Sequence, residues 1–251
     1  MEQNRLSFSN SWEFYQCIIA DQPYSVRFDM AVSELADDMR AQFPHTLELL
    51  IPYIEATEAG FPTRTEMERI NKVEDGFSCG NHSIRLVGVM TGGSCSRFVF
   101  CYNGTDEDAV IQTLMGANAN IEYHQQVFKD DNFGYYDNMI APSVYDHNYI
   151  MNRNVYSNLE KHGETFKEPR DIDFFCYFAS TQHIQNIADK LSAQGFREAD
   201  RHETEDGQHS LHLVKEGIPT LPWINEVTTE IIDLLENTDG YFDGWGSPAL
   251  K

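Results

Sequence analysis

The stretch that decides the fold runs from residue 172 to residue 245. It reads IDFFCYF (Ile172–Phe178), IQNIADKLSAQG (Ile184–Gly195), FREADRHETEDGQHSLHLV (Phe196–Val214) and LPWINEVTTEIIDLLENTDGYFDGW (Leu221–Trp245). The first piece is rich in aromatic and apolar residues and reads as a strand. Ser180 then caps a helix in which Ile184, Ile187, Ala188 and Leu191 recur at i, i+3, i+4 and i+7. Gly195 ends it. Phe196–Glu203 and His209–Val214 form a hairpin with Asp206-Gly207 at its turn. Thr220 and Pro222 open a second helix, with Ile224, Val227, Ile231, Leu234 and Leu235 on one stripe. Gly240 ends that helix, and Tyr241–Trp245 closes as an edge strand. The order is βαββαβ, the ferredoxin-like arrangement, which predicts a four-stranded antiparallel sheet with both helices on one face.

Upstream of this the pattern is again strands and helices. Trp12–Ala20 and Tyr24–Val32 are strands around an Asp21-Gln22-Pro23 turn, with Tyr24, Val26 and Phe28 on one face. Thr46–Ile54 is a third strand, and Pro52 within it predicts an edge or a bulge. Thr63 and Glu66 have capping-box spacing before a helix carrying Met67, Ile70, Val73 and Phe77. Ser83–Met90 and Cys95–Tyr102 form a hairpin across Thr91-Gly92-Gly93-Ser94. Thr105 and Asp108 cap a short helix, and Ile121–Phe128 is the last strand. Lys129–Pro142 is polar and aromatic with no period. A helix over Tyr145–His162 then shows Ile150, Val155 and Leu159 as its apolar face. The fold class is therefore α+β: a second antiparallel α+β domain over 1–142, then the ferredoxin-like domain over 143–251.

Composition narrows the function. The 251-residue chain carries 18 Lys and Arg against 40 Asp and Glu, a net charge of −22. Phosphate contact needs clustered Lys and Arg, so direct nucleic-acid binding is not expected. No run reaches the ~18 apolar residues of a membrane helix. The opening Met-Glu-Gln-Asn-Arg lacks the basic and apolar regions of a signal peptide. Five cysteines without C-x-x-C spacing fit reduced thiols, and a cytoplasmic protein is expected. Cys17, Cys101 and Cys176 sit in apolar strands and read as small buried hydrophobes.

No constellation for catalysis stands out. There is no G-x-S-x-G, and no cysteine has a helix-start setting or a histidine partner. Gly92-Gly93-Ser94 is followed by a strand, so it reads as a hairpin turn and not as a phosphate loop. With Asp206-Gly207 as a two-residue turn, His202 pairs with Leu211 and shares a face with His209, while His212 points away. No metal-ligand spacing supports zinc there. The Asp37-Asp38, Asp130-Asp131 and Glu203-Glu205-Asp206 groups read as solvated faces. Catalytic residues, cofactors and metals are accordingly not predicted. Trp245, between two glycines and beside Asp243, admits two readings: packing over the sheet or helix, or anchoring a partner.

Residues from about His147 to Pro248 resemble the regulator of ribonuclease E activity B (RraB) family. The resemblance rests on Arg170-Asp171-Ile172-Asp173-Phe174-Phe175, on Gln194-Gly195-Phe196, and on Gly240-Tyr241-Phe242-Asp243-Gly244-Trp245-Gly246. Residues from about Trp12 to Met139 resemble the bacterial domain of unknown function 695, through Trp12 with Tyr15, Gly60-Phe61-Pro62-Thr63 and the hairpin strands 86–89 and 97–100. The first resemblance implies a protein inhibitor of an RNA-processing endonuclease. The added N-terminal domain departs from that pattern. The expected function is a non-enzymatic, acidic regulatory binder with a protein partner, such as a nuclease of the ribonuclease E type. Asp243, Trp245, Glu203, Glu205 and Asp206 are its candidate partner-binding residues. The alternative is an enzyme or small-molecule binder using a cleft between the two domains.

Overall fold

The computed structural model describes residues 11–33, 40–79 and 83–249. The opening Met1–Arg5 and the Asp37-Asp38 pair lie outside the described residues. The chain divides between Ala141 and Pro142 into two compact units. Both are mixed α and β with antiparallel sheets.

The first unit holds a six-stranded sheet. Its strands are β1 (Trp12–Ile19), β2 (Gln22–Asp29), β3 (His45–Pro52), β4 (Ile84–Gly92), β5 (Cys95–Tyr102) and β6 (His124–Phe128). They lie in the order β1-β2-β4-β5-β3-β6. Pro52 is the last residue of β3 and lies beyond its ladder with β6, which ends at Leu50 opposite His124, so its missing N–H breaks no central pairing. Two helices, α1 (Arg64–Asp75) and α2 (Glu107–Met115), pack Ile70, Val73, Ile111 and Leu114 on the face that carries Leu47, Leu49 and Phe98. The Thr63 hydroxyl accepts from the Glu66 N–H as expected of a cap, but Met67 is exposed and Glu66 is buried instead. The Glu66 carboxylate is held by Arg69 and by the Ile54 N–H. Asp106, not Thr105, caps α2 by accepting from the Ala109 N–H at 3.1 Å.

The stretch without a period, 129–142, supplies core after all. Phe133, Tyr136 and Ile140 are fully or almost fully buried, and residues 136–140 form a single π-helical turn. Asp130, Asn132 and Phe133 have positive φ, so the backbone coils tightly and leaves no helical or strand spacing to read. The Tyr136 hydroxyl donates to the Asp29 carbonyl at 3.0 Å. Ile140 lies against β4, where a Cβ added at Gly88 would come within 2.4 Å of its Cγ2. Gly88→Ala should therefore overpack this contact and destabilise the first unit by about 1–3 kcal/mol, read as an earlier urea midpoint.

The second unit is the ferredoxin-like sandwich. Helix α3 (Val144–Lys161) precedes β7 (Arg170–Phe178), α4 (Ile184–Ala193), β8 (Arg197–Glu203), β9 (His209–Gly217), α5 (Leu221–Leu235) and β10 (Gly240–Gly246). The sheet order is β10-β7-β9-β8 with every neighbour antiparallel. Ile172, Phe174, Cys176 and Phe178 of β7 alternate toward one face. There they meet Ile184, Ile187 and Leu191 of α4 and Ile224, Val227 and Ile231 of α5 in one core. Ser180 does not cap α4. Its hydroxyl donates to Asp239 at 2.6 Å and accepts from the Gln182 N–H, closing a turn before the helix starts at Ile184.

The hairpin register differs from the expected one by one residue. Glu203 pairs with His209 and His202 with Ser210. The loop is closed by Thr204 N–H donating to the Gln208 carbonyl at 2.8 Å, with Gly207 at φ 83°. Three residues, Glu205 to Gly207, span the tip in place of two. A one-residue slip reverses every side-chain assignment. His202 thus shares a face with His212, not with His209. The two rings pair with different carboxylates, His202 with Asp200 at 2.8 Å and His212 with Asp173 at 2.7 Å.

Candidate functional site

The candidate site grows from one irregularity in β10. Its ladder with β7 runs Tyr241 to Tyr177 and Phe242 to Cys176, then skips, so that Gly244 faces Phe175 and Trp245 faces Phe174. Asp243 is the extra residue of a β-bulge. Gly244 takes φ 152°, a conformation that favours glycine. The consequence is one of parity. Without the bulge Trp245 would fall opposite Asp173, on the face away from the helices. With it, Trp245 turns onto the Phe174 face and joins the core at 6 % exposure, while Asp243 is left exposed.

Trp245 also lines a groove of about 640 Å³ whose described lining residues all belong to the second unit. Its walls are α3, with Val144 and Met151, and the C-terminal end of α5, with Leu235 and Glu236. Residues 240–245 of β10 complete it. Val144 and Met151 are large apolar side chains left 60 % and 39 % exposed. Two carboxylates, Glu236 and Asp243, line the groove, and among the described residues no Lys or Arg does. The Trp245 Nε1 is buried and has no acceptor among the described residues. An orphaned donor of this kind costs about 1–3 kcal/mol.

Helix α3 is held against α5 by amides. Asn148 and Asn152 each donate to the Thr228 hydroxyl oxygen, at 2.8 and 2.9 Å, and Asn152 also donates to the Asn225 side-chain oxygen at 3.0 Å. Thr228 is fully buried and itself donates to the Ile224 carbonyl. The buried face of α3 is therefore partly polar. Ile150 and Leu159 are buried as expected, but Asn148 and Asn152 hydrogen-bond to α5 and were not foreseen. At the far end Glu164, with no side-chain exposure, pairs with Arg170 at 2.7 Å, and Arg170 also donates to the Ser247 hydroxyl.

The other predicted residues lie elsewhere. Glu203, Glu205 and Asp206 are exposed on the β8–β9 hairpin, which includes the opposite edge strand, and none lines the groove. The structure thus brings Asp243 and Trp245 together and leaves the hairpin acids as a separate group. The Thr204 hydroxyl donates to Asp206 and holds its carboxyl below the usual carboxylate range.

Cys101 and Cys176 are completely buried, Cys95 is nearly so, and Cys17 is half-buried. Burial pushes the Cys176 thiol from 9.0 up to about 12, with the Asp243 charge adding to it. Burial likewise pushes Cys101 up to about 12. A raised folded-state value stabilises the fold below the unfolded thiol pKa, and that contribution is lost as pH climbs toward 12. Urea midpoints should hold to about pH 8.5 and then fall, on the order of 1.4 kcal/mol per pH unit for each thiol. Cys101→Ala with Cys176→Ala should flatten that fall.

No helix among the described residues is long and apolar enough to cross a membrane. Among the same residues no group of three or more His, Cys, Asp or Glu is placed to hold a metal ion. No curated protein matches the chain. Two family models do. Residues 149–247, which span most of α3, the whole sandwich and the bulge, match Regulator of ribonuclease activity B. Residues 10–140 match the Family of unknown function (DUF695). The chain therefore belongs to the family of unknown function DUF695 through its first unit and carries a Regulator of ribonuclease activity B domain in its second.

Proposed function

We propose that this protein is a non-enzymatic, acidic regulator that binds a basic region of an RNA-processing endonuclease of the ribonuclease E type and slows it. The observation that carries the reading is the match of residues 149–247 to a family of ribonuclease regulators. The charge supports it. A protein at −22 is repelled by RNA and attracted to the positively charged surface that an RNA-processing enzyme presents to its substrate. Glu203, Glu205, Asp206 and Asp243 stand exposed, where they steer such an encounter. The setting is the cytoplasm, where five free thiols stay reduced.

The test is direct. The purified chain is added to a ribonuclease E-type endonuclease, and cleavage of a single-stranded RNA is followed. Cleavage should slow in proportion to complex formed, with the RNA itself unbound by the chain. Unchanged cleavage at saturating chain, with no complex detected, would overturn the reading.

A further inference from the structure

We infer that the groove between α3, α5 and β10 is a docking site for a peptide segment of a partner protein. The segment carries one large apolar side chain flanked by Lys or Arg. The inference rests on the regulatory reading and names the partner chemistry at one place on the second unit.

Two observations converge on that occupant. The groove holds about 640 Å³ and presents Val144 and Met151 well exposed, so it takes an apolar side chain and removes both from water. Among the described residues its charged lining is Glu236 and Asp243 with no Lys or Arg, so the flanks of the occupant are cationic. Trp245 is part of the lining, so its indole N–H reports on what enters beside it. A fatty acid or a phosphate would be repelled by the two carboxylates, and so would nucleic acid. An apolar anchor with a basic flank occurs in a protein segment.

The indole N–H of Trp245 gives the readout. The full chain has three tryptophans, so its ¹H–¹⁵N spectrum carries three indole signals, and Trp245→Phe assigns the relevant one by its loss. The probe is a capped peptide with a central leucine flanked on each side by two arginines, titrated to about 1 mM. The Trp245 indole signal should move, and those of Trp12 and Trp223 should not. A serine-centred peptide and a glutamate-flanked peptide should each bind weaker by about tenfold or more. Met151→Glu, at an exposed position, should abolish the shift with the melting temperature unchanged. Asp243→Lys with Glu236→Lys should exchange the preference, so that the glutamate-flanked peptide binds better. No movement of the Trp245 signal, or equal movement with leucine- and serine-centred peptides, would overturn the proposal.

The nuclease assay separates the two ideas. If Met151→Glu inhibits the endonuclease as well as the natural chain does, the groove is not the docking site and the regulatory reading stands. If the leucine peptide binds as described and the endonuclease is not inhibited, the docking site stands and the regulatory reading falls.

Discussion

Trp245→Ala is expected to destabilise the second unit by about 3–5 kcal/mol, the range for removing a buried tryptophan. The ring sits at 6 % exposure among Phe174 and the other β7 core residues, so truncation leaves a large cavity in a sheet-to-helix core that cannot collapse to fill it. The bulge makes a sharper expectation. Deleting Asp243 removes an exposed residue, yet it should be as damaging as Trp245→Ala, because it moves Trp245 onto the opposite face of the sheet. Asp243→Ala keeps the bulge and should shift stability little. Urea unfolding followed by tryptophan fluorescence measures all three. A deletion no worse than Asp243→Ala would refute the bulge as the device that buries Trp245.

The second large effect is expected at Arg170. Its guanidinium donates to both Glu164 oxygens and its Nε to Ser247, joining the loop after α3 to the segment after β10. Glu164 is wholly buried. Arg170→Ala removes this ion pair from a carboxylate that also accepts from the Phe166 N–H at 2.6 Å. The cost should be about 3–5 kcal/mol, the range for breaking a buried pair on one side. A large part of it is the cost of keeping the Glu164 carboxylate buried after it loses this partner. Replacing both partners, Arg170→Met with Glu164→Leu, should therefore recover much of the loss. A double variant as unstable as Arg170→Ala would show that packing of the arginine stem, and not charge, sets the effect.

The order of elements in the second unit was legible because each element carries its own period, as in Ile184, Ile187 and Leu191 or in Ile172, Phe174 and Cys176. The face of Trp245 was not legible. It depends on whether Asp243 is in the ladder or outside it, and a bulge leaves no spacing signal beyond the glycine after it. The hairpin register was missed for a related reason. Asp206-Gly207 suits a two-residue turn, but a glycine at the third position of a three-residue loop is the equally regular alternative, and Gly207 occupies it. The groove was hidden because the buried positions of α3 include Asn148 and Asn152, which a search for apolar stripes passes over. In the first unit the segment around Tyr136 read as irregular because its order comes from tertiary packing against Gly88 and Asp29, not from local repetition.

Recognition of this acidic chain by a basic protein surface is read most directly from the rate of its association with the endonuclease as ionic strength rises. Screening shortens from about 10 Å at 0.1 M to about 3 Å at 1 M salt, so steering between the two proteins should nearly vanish over that range. The association rate should fall steeply. Glu203→Lys with Glu205→Lys should slow association at low salt more than it speeds dissociation. An association rate that is the same at low and high salt, and unaltered by reversing those hairpin charges, would contradict it.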